Sequence, residues 1–339
     1  MSTPAEITFF GPTFFRTSCL RFCAAAALLT AGLGGSLAQP YPNRPVKLIV
    51  PYPAGGPTDA LARALGEGFR EKLGQVVVVE SRPGANTSIG AQACKASEPD
   101  GYTLCMLAST TLSVNPHLYD DLRYTPADLA PITNIASAVA VFMTRNDVPG
   151  KTFAEFIDWS KKNPAKANYG SFGVGGETHL MAEWLNKKTG ARMTHVPFTG
   201  FAPALIAFDG GEIQVMMPVA IPMIIDRIRN GEAKALFVVG DKRLAVLPDL
   251  PSIPELGLPP IGFTVWFGMF APAGTPKDII EKVSAALRET VADKAFQAKY
   301  ITASGMTAVT NTPAEFAAFL KTDDQQAADL VKTSGVTLK

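Results

Sequence analysis

Two glycine-rich segments contain backbone chemistry that could hold a small anion. The first, Pro51–Asp59, follows the apolar run Val46–Val50 and precedes apolar residues at helical spacing from Leu61 to Leu73. A strand that passes into a helix through glycines leaves backbone N–H groups unpaired at the positive end of the helix dipole. Such a junction binds a carboxylate or phosphate directly. The segment therefore predicts an anion site made of backbone, which needs neither a cofactor nor a metal.

Three further loops follow predicted strands. Gly170–Gly176 is a second glycine-rich turn, Ser109–Thr111 supplies three hydroxyls, and Pro197–Gly200 precedes a short helix. Ligands of α/β sheets bind beyond the carboxyl ends of the strands, so the four loops are expected to line one cleft. Two opposed helix ends with several N–H···O bonds could supply the roughly 8 kcal/mol of a micromolar complex. For either glycine turn alone, ordinary tight-turn usage is the simpler interpretation.

Catalytic motifs are absent from these loops. Gly173–Gly176 is not a dinucleotide fingerprint, because Thr178 occupies the third glycine position. Ser171 lacks the spacing of a nucleophile elbow. Asp59 is interpreted first as a helix-terminus acid and only second as a base. The histidines are far apart in sequence, without partners at metal-ligand spacing: His117, His179 and His195. The sequence predicts no catalytic residue and no metal ligand, and a secreted hydrolase using Asp59, His179 or His195 is the less favoured alternative.

Methionines cluster at Met216–Met223, another strand-to-helix junction. A buried strand and helix start explains most of them. Because of the junction, Met217 and Pro218 could also form an apolar wall of the cleft.

Composition describes a folded chain with a balanced charge. Of its 339 residues, 47% are hydrophobic and 18% charged, which is enough for two ordinary domains or one large one. The formal charge is +1, and no basic cluster interleaved with aromatics occurs in the sequence. These features exclude a disordered chain and argue against a nucleic-acid partner.

The first 38 residues have the pattern of a secretory signal peptide. Arg16 and Arg21 precede an apolar run that extends to Leu37, and Ser36-Leu37-Ala38 resembles a small-x-small cleavage site. A membrane anchor needs about 20 strongly apolar residues, and this run is diluted by Gly and Thr. Export with cleavage near Ala38 is therefore favoured over an anchor.

Two cysteines, Cys94 and Cys105, follow the predicted signal peptide. An exported pair could be oxidised. They fall on a predicted helix and on the strand after it, so the sequence leaves a disulfide open and predicts a structural role for any such bond.

Helices and strands alternate along most of the chain. Three helices are expected to start at a Thr followed by an acid three residues later, at Thr152, Thr275 and Thr312. The strand candidates, besides Val46–Val50, are Val76–Glu80, Tyr102–Leu107, Met193–Val196, Ile213–Met216, Ala235–Val239 and Val265–Phe270. The alternation predicts an α/β fold with mainly parallel sheets.

The sequence resembles the periplasmic solute-binding receptors of tripartite tricarboxylate transporters, the Bordetella uptake gene family. The matching segments occur in family order over nearly the whole chain after residue 38: Tyr41–Pro45, Val50–Asp59, Pro99–Leu104, Gly173–Gly176 with His179 and Leu180, His195–Phe198, and Ala271–Pro276.

This resemblance implies a type II periplasmic-binding-protein fold, with two α/β domains around a ligand cleft and a double crossover hinge. Residues 39–140 plus 263–339 would form domain 1, and residues 141–262 domain 2. The resemblance also implies a periplasmic monomer that delivers a small organic carboxylate to separate membrane permease subunits.

The resemblance further implies where the ligand binds. The first glycine-rich loop would hold the ligand carboxylate, through Tyr52, Ala54, Gly55, Gly56, Thr58 and Asp59. Ser109 and Thr110 would complete that side. The opposite wall would contain Gly173, Gly175, Gly176, His179, Pro197, Phe198 and Gly200. Met217 and Pro218 are added to this wall because of their strand-to-helix junction.

The chain departs from the family pattern at two places. Many members have Tyr-Lys-Gly at Phe198–Gly200 and Met-Phe-Asp at Met216–Pro218. An acid that could meet a ligand's amino group or hydroxyl is therefore missing, which favours a dicarboxylate with an apolar or aromatic body over an amino acid. The expected function is a non-catalytic carboxylate receptor. A receptor that signals to a membrane sensor kinase is the alternative from another class.

Overall fold

The computed structural model describes Met1, Glu6 and residues 41–338. The predicted signal peptide, residues 1–38, otherwise lies outside the described residues. Every described helix and strand belongs to the unit Pro42–Lys339. Among the described residues, no helix combines the length and the apolar character needed to cross a bilayer.

Six strands form the first sheet: β1 (Val46–Val50), β2 (Val77–Ser81), β3 (Thr103–Ala108), β4 (Leu129–Ala138), β10 (Val265–Pro272) and β11 (Met306–Ala308). Their spatial order is β11-β4-β10-β3-β1-β2. Strand β1 pairs in parallel with β2 and β3, whereas β10 is antiparallel to β3 and β4, and β11 to β4.

Five strands form the second sheet: β5 (Ala140–Thr144), β6 (Asn168–Ser171), β7 (Thr194–Pro197), β8 (Val215–Met216) and β9 (Lys234–Val239). Their spatial order is β7-β6-β8-β5-β9. Strand β6 is parallel to β7 and β8, and β5 is antiparallel to β8 and β9.

The expectation of mainly parallel sheets is wrong, because both sheets are mixed. Their antiparallel pairs involve the strands that carry the chain between the sheets. Strand β4 ends at Ala138 and β5 begins at Ala140; β9 ends at Val239 and the chain returns at Val265 in β10. Two neighbouring strands that pair in parallel need a crossover connection between them, usually a helix. The strands that carry the chain between the sheets are not joined to their neighbours by such a connection. The two passages between the sheets form a double crossover.

The part of the chain that the structure describes contains ten α-helices: α1 (Pro57–Leu73), α2 (Ser88–Lys95), α3 (Asn115–Leu118), α4 (Phe153–Lys162), α5 (Glu177–Thr189), α6 (Phe201–Gly210), α7 (Pro222–Arg229), α8 (Lys277–Ala292), α9 (Lys294–Phe296) and α10 (Pro313–Ser334). Two π-helical turns, Thr110–Val114 and Gln297–Ile301, accompany them. Short 3-10 turns lie at Pro126–Asp128, Pro164–Lys166, Pro254–Leu256 and Thr302–Ser304.

Two of the three predicted helix starts are confirmed. Thr152 and Thr312 each form a capping box, with Glu155 and Glu315 respectively. The expectation for Thr275 is wrong by one residue, because α8 starts at Lys277 after Pro276. The Thr275 hydroxyl donates instead to the carbonyl of Pro272 (2.8 Å) and does not cap the helix.

The hydrophobic core continues from one sheet to the other. Val114 and Leu118, which follow β3, belong to the same buried cluster as Phe142 of β5, Trp184 of α5 and Leu330 of α10. Direct packing between α5 and α10 is part of this contact.

A smaller buried cluster lies against the first sheet. It contains Trp266, Phe270 and Phe316, together with Cys94 and Cys105. The two cysteines form a disulfide that joins α2 to β3, with their Cα atoms 6.1 Å apart.

Candidate ligand-binding site

The first glycine-rich loop connects β1 to α1. Gly56 is the N-cap of α1, with extended backbone, and makes no side-chain cap. Since Pro57 has no N–H, the free donors of the first helical turn belong to Thr58 and Asp59. Ala54 and Gly55 are exposed, and Gly55 has a φ of +84°, which glycine adopts without strain. The loop has the backbone of an anion site.

Asp59 orders this loop from within. Its side chain is buried, and Oδ2 accepts hydrogen bonds from the Gly55 N–H (3.0 Å) and from Arg63 Nε (2.9 Å). These bonds, the one from Arg63 first, hold the pKa of Asp59 below its usual range. The carboxylate is therefore a weak base, and it uses the Gly55 amide that the sequence assigned to a ligand.

The hydroxyl loop contacts the second sheet. Ser109 and Thr110 follow β3, and both side chains are buried. Ser109 Oγ donates to Glu177 Oε1 (3.1 Å), and Thr110 Oγ1 donates to the same oxygen over a shorter distance. Glu177 is the first residue of α5, which follows β6 of the second sheet. One carboxylate thus bridges the two sheets at the carboxyl end of β3.

The second glycine-rich turn precedes α5. Gly176 is the N-cap of α5 and, like Gly56, provides no side-chain cap. Gly175 has a φ of +79°, and a Cβ placed there would lie 2.5 Å from Leu338 Cδ1. Gly173 has a φ of +148° and open space around it. Gly175 is therefore required for conformation and for packing.

His179 fixes this turn, since its Nδ1 accepts the Gly175 N–H at 3.1 Å. Its ring stacks on that of His195 with centroids 3.8 Å apart, and the His195 ring stacks on Tyr169 at 5.1 Å. Burial, and then the neighbouring His179, lower the pKa of His195 to about 4. Burial lowers the pKa of His179 as well. Both imidazoles are therefore neutral at neutral pH. A neutral His179 can accept the Gly175 N–H and hold the turn in place.

Ser171 and His195 form a hydrogen bond of 2.6 Å between Oγ and Nε2. The pair has the residue types of a nucleophile and its base. However, Ser171 is completely buried, and its hydroxyl also contacts the Gly173 carbonyl at 3.1 Å. This burial favours a structural contact over a catalytic pair.

An aromatic pair lies beside the hydroxyl loop. The half-buried Tyr52 ring meets Phe267 edge-on, with centroids 6.3 Å apart. Phe267 is paired in register with Ala108, the residue before Ser109. Burial first, and then the charge of Glu177, raise the pKa of the Tyr52 hydroxyl. Phe267 was not predicted as a site residue. The residue pattern of β10 does not show which face of the strand lies beside the first glycine-rich loop.

A strained loop at the same sheet edge was also missed. Ala85, Asn86 and Thr87 follow β2 and have consecutive positive φ angles of 44°, 49° and 73°. Thr87 Oγ1 hydrogen-bonds Thr111 Oγ1 (2.8 Å), and Asn86 donates to the Asn115 side chain (2.9 Å). Strain of this kind persists where surrounding contacts determine the backbone. These hydrogen bonds connect the loop to the π-helical turn and to the start of α3. The sequence did not predict positive φ angles here, because the three residues are not glycines.

The remaining predicted site residues belong to the second sheet. Phe198 follows β7 and donates its N–H to the Ser171 carbonyl (3.0 Å), after Pro197 at the end of that strand. Gly200 precedes α6 with a φ of +141°. Met217 and Pro218 are buried, Met217 within the cluster that crosses the sheets.

Two cavities lie away from these loops. One, of about 450 Å³, is bordered by Arg145, Asp209 and Arg227. The other, of about 300 Å³, lies where the chain passes between the sheets, beside Val139 and Gly240. Neither is lined by a predicted ligand residue. Within the described residues, no cluster of His, Cys, Asp or Glu could hold a metal ion.

Comparison with known proteins identifies relatives along almost the whole chain. The family model described as "Tripartite tricarboxylate transporter family receptor" matches residues 61–336. A UPF0065 protein of Bordetella pertussis is 38% identical over 279 residues, which cover 82% of this chain and 86% of the relative. The protein BugT of the same organism is 32% identical and covers 92% of this chain and 96% of its own.

Solved structures share the architecture. The periplasmic binding protein BugD superimposes with a TM-score of 0.77 at 34% identity, over 88% of this chain and 100% of its own. An R. palustris protein solved with adipate gives 0.79 at 28% identity, over 88% and 99%. MatC of Rhodopseudomonas palustris, with bound malate, gives 0.76 at 28% identity, over 86% and 100%. The two sheets and their double crossover are thus those of a two-domain periplasmic binding protein, and the chain belongs to the tripartite tricarboxylate transporter receptor family.

Proposed function

We propose that this protein is a non-catalytic periplasmic receptor that captures a small dicarboxylate and delivers it to the permease subunits of a membrane transporter. One observation carries the proposal. A carboxylate, that of Glu177, accepts the hydroxyls of Ser109 and Thr110 beside the uncapped end of α5. The chemistry of this region is therefore suited to a carboxylate, and a ligand could use the same donors.

Backbone donors add to these hydroxyls. Gly56 and Gly176 begin α1 and α5 without a side-chain cap, so the first-turn N–H groups are available to a ligand. The charge of Glu177 acts on Tyr52, which lies in the loop that leads to α1. In this proposal the two helix ends face one region and hold the two carboxylates of one ligand.

The body of the ligand would contact the aromatic pair Tyr52 and Phe267. Because relatives of this chain hold adipate and malate, we infer a dicarboxylate between malate and adipate in length. An apolar chain as in adipate suits the ring faces better than a hydroxylated one.

Domain closure would enclose the ligand. In this proposal residues 39–140 plus 263–339 form one lobe and residues 141–262 the other. The passages at Val139 and at 240–264 would then form the hinge. A ligand that contacts both lobes favours the closed form through its differential affinity.

The first test is a thermal-shift screen of the chain from Gln39 onward against aliphatic and aromatic mono-, di- and tricarboxylates and amino acids. A ligand at one hundred times its dissociation constant stabilises the fold by about 2.7 kcal/mol. We expect a dose-dependent shift with dicarboxylates and recovery of the ligand unchanged. A panel without any shift would contradict the ligand class, and consumption of the ligand would contradict the non-catalytic function.

The partner is tested separately from the ligand. Deleting the gene should abolish uptake of the radiolabelled dicarboxylate found in the screen. Normal uptake together with loss of a transcriptional response to that compound would instead indicate the alternative partner, a membrane sensor kinase.

A further inference from the structure

Glu177 connects the two sheets at the proposed site, through hydrogen bonds to the loop that follows β3. Its Oε1 accepts Ser109 Oγ at 3.1 Å and also the Thr110 hydroxyl. The donors lie 68 and 67 residues away in sequence, in the turn after β3. Both hydroxyls are buried, so bonds to them are shielded from competing water.

The charge of Glu177 contributes to the raised pKa values of two neighbouring groups, Asp323 and Tyr52. Burial is the main reason that the pKa of Asp323 is raised to about 6; the hydrogen bonds from Ser113 and Trp266 oppose this rise, and the charges of Asp324 and Glu177 add to it. Burial and then Glu177 raise the pKa of Tyr52. A second carboxylate that approached Ser109 and Thr110 would meet an anion already bound there. Like charges at short distance in a poorly solvated site repel strongly.

We propose that Glu177 is a tethered carboxylate that clasps the two lobes together in the ligand-free protein and is displaced by a carboxylate of the ligand. The inference rests on the proposed function for the identity of the competitor. The clasp itself depends on the contact between Glu177 and the two hydroxyls and on the proposed division into two lobes. Its two consequences are a closed ligand-free state and an affinity for dicarboxylates that is lower than the donors alone would allow.

The first consequence is measured without a ligand. Small-angle X-ray scattering gives the radius of gyration of the chain from Gln39 onward. We expect Glu177→Ala, and the double variant Ser109→Ala with Thr110→Val, each to increase the radius relative to the unaltered protein. Glu212→Ala removes an exposed carboxylate from the second lobe and is the matched control, with no expected change. An unchanged radius in Glu177→Ala, with native circular dichroism, would overturn the clasp.

The second consequence is measured by calorimetric titration with adipate and with malate. Glu177→Gln keeps the shape of the side chain and removes its charge. We expect this variant to bind the dicarboxylate about ten-fold more tightly, since a ligand carboxylate no longer displaces a charged acceptor. Weaker or equal binding would show that Glu177 contacts the bound ligand or plays no part, and would overturn the competition.

The two measurements separate failure of this inference from failure of the proposed function. If neither the unaltered protein nor Glu177→Gln binds adipate, malate or another carboxylate, the proposed function is wrong. In that case the scattering comparison alone decides whether Glu177 clasps the lobes.

Discussion

At the scale of single residues, the site depends on glycines that begin helices. Gly56 and Gly176 have backbone angles that other residues adopt, whereas Gly55 and Gly175 have positive φ. A side chain is therefore tolerated at the two N-caps without strain. The nearest atom to a Cβ at Gly56 would be the Pro53 carbonyl oxygen at 3.7 Å, an ordinary contact.

Gly56→Asp tests the anion site at α1. We expect unchanged or slightly higher stability, because Asp is a favourable N-cap. Affinity for a dicarboxylate should fall about ten- to hundred-fold, since a like charge nearby costs about 1–3 kcal/mol. Gly56→Asn gives the same cap without the charge and is the control. Equal affinities for the two variants, measured by titration calorimetry, would place the carboxylate elsewhere.

The stacked histidines give a pH prediction. The pKa of His195 is about 4, against about 6.5 for a free histidine, so the unfolded chain binds more protons between these values. His195 therefore lowers the free energy of unfolding as the pH falls from about 6.5 to about 4. In NMR titrations the His195 imidazole should remain mostly neutral at pH 5. A midpoint near 6.5 would contradict this burial.

Asp323 opposes the histidine in the same pH range. With a pKa near 6 in the folded state, this carboxyl binds its proton more readily than in the unfolded chain, so it stabilises the fold as the pH falls towards 4. Asp323→Asn removes that compensation. We expect the unfolding free energy of the variant, measured in urea, to fall more steeply between pH 6.5 and pH 5 than that of the unaltered protein. Parallel pH profiles of the unfolding free energy for the two proteins would contradict the raised pKa of Asp323 in the folded state.

Residue types at the loops could be predicted, but their partners could not. The glycines and hydroxyls at strand ends were visible because turn chemistry is local. Glu177 was visible only as an acid at a helix start, a position that acids occupy for general electrostatic reasons. Its pairing with Ser109 and Thr110 depends on how the two sheets meet.

At the scale of elements, seven strands were predicted within two residues of their starting points: β1, β2, β3, β7, β8, β9 and β10. Strands β4, β5, β6 and β11 were not among the strand candidates. Leu129–Ala138 contains Pro131 and no regular alternation of apolar and polar residues, and β5 is buried throughout. Neither β4 nor β5 shows the alternation of apolar and polar residues that marks a half-buried strand. Pairing with strands far away in the sequence determines where these two strands form. The mixed direction of both sheets was missed for the same reason.

The disulfide between α2 and β3 permits an element-scale prediction. Replacing both Cys94 and Cys105 by Ala removes a cross-link between two completely buried positions. We expect the free energy of unfolding to fall by about 2–3 kcal/mol, as is typical for a short loop. Urea unfolding measures this loss. A reducing agent should destabilise the unaltered protein and leave the variant unaffected; equal midpoints for the oxidised unaltered protein and the variant would show that the bond is dispensable.

At the scale of the whole molecule, two sheets share one chain that passes between them twice. Strand order, the double crossover and the solved relatives place this chain among two-domain binding proteins. A ligand that bridges the lobes therefore acts on the arrangement of the entire molecule. The family resemblance, carried by segments spread from Tyr41 to Pro276, predicted this architecture better than strand patterns did, because the topology is a long-range property.

The buried cluster that crosses the sheets has a consequence for cooperativity. Val114 and Leu118 would lose their partners Phe142 and Trp184 if the second sheet melted alone. Neither half could then keep a complete core, so thermal denaturation should occur as a single calorimetric transition, with equal calorimetric and van't Hoff enthalpies. Two resolved transitions would contradict this coupling. In a compartment exposed to proteases, all-or-none melting also means that no half-unfolded species accumulates as a substrate for cleavage.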